Sequence, residues 1–270
     1  MMSIIQRLDG KTYDLKKLGI RTKDFIISSP SYEHTTETVA GRPGAIDMGS
    51  TFGPREITCE YKAIAYDTAD FPLMRDEIFR MFRSDEAFYL IEKREPGKRW
   101  LVKVSNTFQL EQAYVYGDFS VTFICNKGFA ESIATTATPY EWDVDMWQWG
   151  MGLDWDNHQY EHTENNFTIL NSGDVAVDPR YRDLKITIQA NAPSYLEIIN
   201  HTTGDIYKYN GSLDLNDTLL IDGIRSTKNG FSVFRDTNKK LITLAPGPNE
   251  IEVKGATVER ILFDFRFYYL

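Results

Sequence analysis

The chain is poor in the residues that usually carry chemistry. It has only two cysteines and four histidines among 270 residues. Cys59 and Cys125 stand far apart, each inside an alternating strand-like run, so they read as two buried thiols rather than a disulfide framework. No stretch approaches the roughly 18 apolar residues of a membrane span. The start, Met1 to Lys17, mixes Arg7, Asp9, Lys11 and Asp14 with short apolar pairs and lacks the apolar block of a secretory signal. Without an export signal, the four Asn-x-Ser/Thr sites at Asn166, Asn200, Asn210 and Asn216 carry little meaning. A basic patch is missing too. Net charge is -9, and residues 131–165 hold eight acids with no Lys or Arg. Sequence-specific nucleic-acid binding is therefore not expected.

Catalytic signatures are equally scarce. There is no Gly-x-Ser-x-Gly elbow, no phosphate loop and no dinucleotide fingerprint. His158, Glu161 and His162 spell H-x-x-E-H, which matches a zinc-peptidase pattern. That pattern needs a helix to aim both imidazoles at one metal, and the flanks, rich in Asp, Asn and Gly, do not form one; a loop or strand edge is expected. Asp143/Asp145 and Asp154/Asp156 offer oxygen ligands for Ca²⁺ but lack the glycine-centred loop and distal Glu of an EF-hand. No catalytic residue, metal or cofactor is expected.

What is present is β-structure. With 42% hydrophobic and 13% aromatic residues, the chain can bury a core in one large domain or two ordinary ones. "REITCEYKAIAY" alternates, with Ile57, Cys59 and Tyr61 on one face; "YGDFSVTFICN" does the same with Phe119, Val121, Phe123 and Cys125. Phe71, Met74, Ile78 and Phe82 follow helical spacing, with Asp70 as cap and Pro72 in the first turn. Glu95-Pro96-Gly97-Lys98 reads as a hairpin turn. After Asn166, short strands alternate with turns at intervals of roughly ten residues, the pattern of a β-sandwich. In the last strand Ile261, Phe263, Phe265, Phe267 and Tyr269 share a face. "LITLAPGPNEIEV" reads as a short strand, Leu241–Leu244, a rigid corner in which Gly247 takes a positive φ, and a second strand through Ile251 and Val253. Pro246 and Pro248 cannot both lie in a sheet.

Two segments do not fit regular elements. "VAGRPGAIDMGSTFGP", Val39 to Pro54, is too long for a tight turn. It is either a loose surface loop or an arm, marked by Gly41, Arg42, Pro43, Gly44, Gly49 and Gly53, that orders against a neighbouring copy. Trp142, Trp147, Trp149 and Trp155 crowd the acidic segment. They are either a sugar-stacking platform beside carboxylates or apolar glue between domains. The organisation expected is an N-terminal β-rich domain with one helix (1–132), an acidic Trp-rich linker (133–155) and a β-sandwich (156–270).

In combination these features resemble the distal tail protein family of siphovirus-type bacteriophages. The resemblance rests on "ILNSGDVAVDPRYRDLKITI", "IINHTTGDIYKYNGSLDLNDTLLIDG", "LAPGPNEIEV" and the terminal "RFYYL". In the first half it rests on "PREITCEYKAI", the helix from Phe71 and "FICNKGFAES". It implies a ring-forming N-terminal domain and a galectin-like sandwich. It implies a non-enzymatic, homohexameric hub at the virion tail tip, made in the host cytoplasm. Its partners would be the tail tube, the tape measure protein, the tail-associated lysin or fibre hub and receptor-binding proteins. A carbohydrate-binding module for cell-wall adhesion is the alternative.

Overall fold

The structure, a computed structural model, describes residues 2–139, 146–153 and 159–270. The chain is mainly β, and it divides into two compact units, one running to Ala130 and the other from Glu131 to Tyr269.

The first unit holds β1 (Ser3–Gln6), β2 (Thr12–Asp14), β3 (Ile20–Ile27), β4 (Tyr32–Glu37), β5 (Ile46–Phe52) and β6 (Arg55–Ile64). Then come α1 (Phe71–Met81), β7 (Phe88–Glu92), β8 (Lys98–Val104), β9 (Glu111–Ala113) and β10 (Tyr116–Cys125). Its main sheet runs β2-β1-β7-β8-β10-β6-β3, antiparallel throughout. The sheet curls until the hydroxyls of Ser3 on β1 and Thr22 on β3 meet at 2.7 Å. β6 and β10 form its longest pairing, from Arg55 opposite Cys125 to Ile64 opposite Tyr116. Their alternation puts Ile57, Cys59, Tyr61, Val121, Phe123 and Cys125 fully inside. Each such large apolar side chain contributes roughly 1.5–3 kcal/mol on burial.

Helix α1 lies over this face, with Phe82 beside Tyr61, Phe119 and Phe123 at ring distances of 5.6 to 6.1 Å. Asp70 does not cap it through its side chain, contrary to expectation. Its carboxylate accepts the amide of Tyr66, while Asp67 takes the amides of Ala69 and Asp70. At the other end Arg7 donates to the carbonyl of Met81 at 2.8 Å, satisfying an end-of-helix acceptor. The Glu95–Lys98 turn forms as expected, closed by the Lys98 amide on the Glu95 carbonyl.

β11 (Ala130–Ser132) spans the change of unit. The second unit then holds β12 (Glu161–His162), β13 (Asn166–Asn171), β14 (Leu184–Asn191), β15 (Leu196–Asn200), β16 (Asp205–Tyr209) and β17 (Leu219–Asp222). β18 (Arg225–Lys228), β19 (Phe231–Ser232), β20 (Gly247–Lys254), β21 (Thr257–Phe265) and β22 (Tyr268–Tyr269) complete it. Two antiparallel sheets, β12-β21-β14-β17-β18-β19 and β13-β20-β15-β16, make a sandwich. Phe167 and Phe263 meet across it at 6.0 Å. So do the Tyr207 hydroxyl and Ser226 at 3.0 Å. Burial pushes the Tyr207 pKa up to about 12. The final aromatic strand is broken at Arg266–Phe267 into β21 and β22, yet Ile261, Phe263, Phe265, Phe267 and Tyr269 are all buried.

The proline corner departs from expectation in one respect. Gly247 does take φ +86°, and of the two prolines only Pro248 enters a strand. Leu241–Leu244, however, is not a strand; only Leu244 bridges, to Val177. Its backbone is claimed by side chains instead. Asn200 donates to the Thr243 carbonyl and to Asn249 Oδ1. Asn249 accepts the Ala245 amide and donates to the carbonyls of Ala245 and Gly247. Asn171 reaches the Leu244 carbonyl, and Asp205 accepts the Thr243 amide. Asn171, Asn200 and Asn249 are all buried, so these bonds replace water that cannot enter.

Two outcomes follow. Asn249→Ala leaves several buried groups unpaired, each costing roughly 1–3 kcal/mol. Denaturant unfolding should therefore lose at least about 3 kcal/mol in the second unit, with the first unit's transition unmoved. Asp217, which accepts the Asp214 amide, Lys228 and Asn229, has its pKa held down to about 2 by those bonds, the amide first. A depressed folded-state pKa stabilises above the unfolded value of about 4 and ceases to do so as pH falls through about 2. Asp217→Asn should lower the unfolding midpoint at pH 7, and the gap to the parent should close near pH 2.

Candidate functional site, an exposed hairpin arm

The glycine-rich run is not an irregular loop. β4 and β5 pair from Tyr32 opposite Phe52 to Glu37 opposite Ile46, as a two-stranded ribbon of their own. The register shifts between His34 and Thr36, where Met48 and Gly49 oppose Thr35. Gly49 has φ +115° at this bulge, and its amide is held by the Asp47 carboxylate at 2.9 Å. At the tip the Arg42 amide bonds the Val39 carbonyl, with Gly41 at φ +83° in the third position, the pattern of a type II turn. Pro43 and Gly44 follow, and Gly53 lies at the root. The alternating pattern that betrays a half-buried strand is missing because both faces meet solvent: from Ser31 to Phe52 every residue is exposed except half-buried Ile46.

The root is fixed where the arm is not. The Gly53 amide bonds the Ser31 carbonyl at 3.0 Å, and the Ser31 hydroxyl bonds the Pro54 carbonyl at 2.7 Å. Phe52 sits edge-on to Phe129 at 4.9 Å. Buried Arg55 donates to the Ser28 carbonyl at 2.6 Å and lies 5.0 Å over the Trp100 ring. Its burial lowers its pKa from the usual guanidinium value. A Cβ on Gly128 would come within 2.8 Å of the Gly53 carbonyl oxygen, so the approach there is tight. An isolated two-stranded ribbon is marginal in water, and its outer edges present unpaired backbone groups. Tyr32, Val39, Met48 and Phe52 also expose apolar surface, Met48 at 60%.

The other candidates are placed as follows. Trp147 is buried, edge-on to Phe267 at 6.2 Å. Trp149 is 84% exposed. Trp142 and Trp155 lie outside the described residues, as do Asp143, Asp145, Asp154, Asp156 and His158. Glu161 and His162 of the H-x-x-E-H pattern are on a strand, not a helix. Glu161 pairs with Arg260 at 2.8 Å, and His162 stacks on Phe167 at 4.3 Å with its pKa lowered by burial. Burial likewise raises both thiols, Cys59 to about 12, which leaves them unreactive. A cleft of about 670 Å³ is walled by Arg180, Asp205, Lys239 and Lys240. Two of its charged groups serve the fold: Asp205 holds Thr203 and Thr243, and Arg180 pairs with Asp178.

No helix of the described structure is long and apolar enough to cross a membrane. Residues 8–125 match the family described as phage tail protein RIFT-related domain. No curated protein matches the chain. Among solved structures, the crystal structure of SPP1 Dit, described as a paradigm of the hub adsorption apparatus in phages infecting Gram-positive bacteria, is similar at a TM-score of 0.69 and 14% identity. It covers 99% of this chain and 100% of that one. The phage P2 baseplate in its activated conformation is similar at TM-scores of 0.46 with Ca and 0.47 with Sr. Those matches have 10% and 9% identity and cover 98% of this chain and 97% of each of those. The resemblance carried by the sequence motifs is thus borne out. Residues 8–125 carry the likeness to the phage tail protein RIFT-related domain, and the chain as a whole shares the fold of SPP1 Dit.

Proposed function

We propose that the chain is a structural hub of a phage tail tip, acting by assembly and not by catalysis. Six copies close a ring through their first units. The ring joins the tail tube and tape measure protein on one side to the tail-associated lysin or fibre hub, with its receptor-binding proteins, on the other. The galectin-like sandwich serves as a docking frame for those partners.

The observation that carries this reading is the arm. A ring closes through heterologous contacts, in which one patch meets a different patch on the next copy. An exposed apolar ribbon on a rigid root is such a patch. Charge permits the arrangement: residues 1–130 carry 18 basic and 18 acidic residues, so neighbouring first units do not repel as a whole. Carbohydrate binding is the weaker reading. Of the tryptophan cluster, Trp149 alone among the described residues offers its ring to solvent, and fold by itself does not transfer a ligand.

Two measurements test the proposal. Native mass with negative-stain imaging should give six times the 31.1 kDa chain mass and six-fold rings, and deleting residues 38–45 should leave folded monomers. Rings unchanged by the deletion would remove the arm from the interface. In the isolated chain a broad-specificity protease should nick the arm between Thr38 and Ala45 before it cuts either sheet of the sandwich. Trypsin is unsuitable, because Pro43 follows Arg42.

A further inference from the structure

β9 and β10 are joined by a two-residue turn, Tyr114-Val115, since Ala113 pairs with Tyr116. Tyr114 has φ +60° while Val115 is ordinary, the pattern of a type II′ turn whose first central position favours glycine. A bulky side chain there stores backbone strain, and such strain persists where a side chain has a task. The Tyr114 ring is not used by the fold: it is 77% exposed. The β6–β10 ladder continues past Ile64 through the Ala65 amide on the Val115 carbonyl, which brings Tyr66 opposite Tyr114. Tyr66 is 94% exposed. Its amide bonds the Asp70 carboxylate, and Asp67 lies one residue on. Two exposed tyrosines, with exposed Asp67 and half-buried Asp70 beside them, thus stand at one end of the sheet.

We propose that this tyrosine pair is the seat for the arm tip of a second copy of the chain, with Arg42 stacking on the rings between Asp67 and Asp70. The inference rests on the ring reading above and names the surface that receives the arm.

Charge selects this occupant. Arg42 is the one cation between Ser28 and Pro54, it sits at the tip turn, and it is exposed without an ion-pair partner among the described residues. Guanidinium groups stack on tyrosine faces and pair with carboxylates at once, and tyrosine and arginine are enriched where interfaces gain most of their energy. Placement supports it. The arm leaves the sheet beside Arg55, at the start of β6, and the tyrosines stand beyond Ile64, at its end. Ten residues of strand separate the two by roughly 30 Å at about 3.3 Å per residue. Patches at opposite ends of one long strand meet head to tail between copies.

Two experiments on the full chain test the seat. Cys59 and Cys125 are buried and do not compete, so the double variant Pro43→Cys, Thr68→Cys, at exposed positions that leave Arg42 and both tyrosines in place, should oxidise to a disulfide-linked ladder up to the closed ring. Neither single variant should give such a ladder. Oligomers by mass without the ladder would overturn the seat and leave the ring standing; neither oligomers nor a ladder would overturn both. Separately, Tyr114→Gly relieves the strained φ. It should raise the unfolding midpoint of the isolated chain while weakening association at least tenfold. A gain in stability with association unchanged would overturn the proposal.

Discussion

The ten-residue pairing of β6 with β10 is the constraint on which the first unit depends. One face of it supplies Ile57, Cys59, Tyr61, Val121, Phe123 and Cys125, and α1 closes over that face through Phe82. Its register also fixes direction. The Arg55 end holds the root of the arm, and the Ile64 end carries the strained turn at Tyr114. A single ladder therefore sets the distance and orientation of two unlike exposed patches. Two unlike patches held in fixed relation are what a head-to-tail contact between copies needs, and a shift of register by one residue would move every one of those core side chains to the solvent face.

The second unit solves a different problem. The segment before β20 cannot join a sheet along its length, because Pro246 lacks an amide proton and Gly247 turns the chain at positive φ. Three buried asparagines and Asp205 take up the freed backbone groups. These residues belong to the turn motifs on which the resemblance rests in this half, and there they serve to satisfy the backbone. The polar chemistry of these four residues is that of a frame.

Much of this was legible in the sequence wherever burial is one-sided. Ile57, Cys59 and Tyr61 alternate because one face of β6 is core, and Phe71, Ile78 and Phe82 keep helical spacing because one stripe of α1 is core. Legibility failed where burial and pattern part company. β4 and β5 show no alternation because solvent reaches both faces, so the sequence left a loose loop and an arm as alternatives and did not show the paired strands. β18, Arg-Ser-Thr-Lys, is polar throughout; its one buried side chain, Ser226, is held by the Tyr207 hydroxyl across the sandwich, a contact that no local pattern signals. Leu241–Leu244 failed in the opposite way. It looks like a strand, but its backbone bonds go to distant side chains. Trp147 and Trp149, two residues apart in an acidic run, differ between buried and exposed for reasons of tertiary packing alone.

The central claim is that the exposed arm is covered when copies assemble. Amide hydrogen exchange across Tyr32–Phe52, compared between isolated chains and purified tail tips, tests it most directly. The account predicts fast exchange in the isolated chain and strong protection of the arm in the assembled tip, with the β6–β10 ladder protected in both. An arm that exchanges as fast in the assembled tip as in the free chain would contradict it.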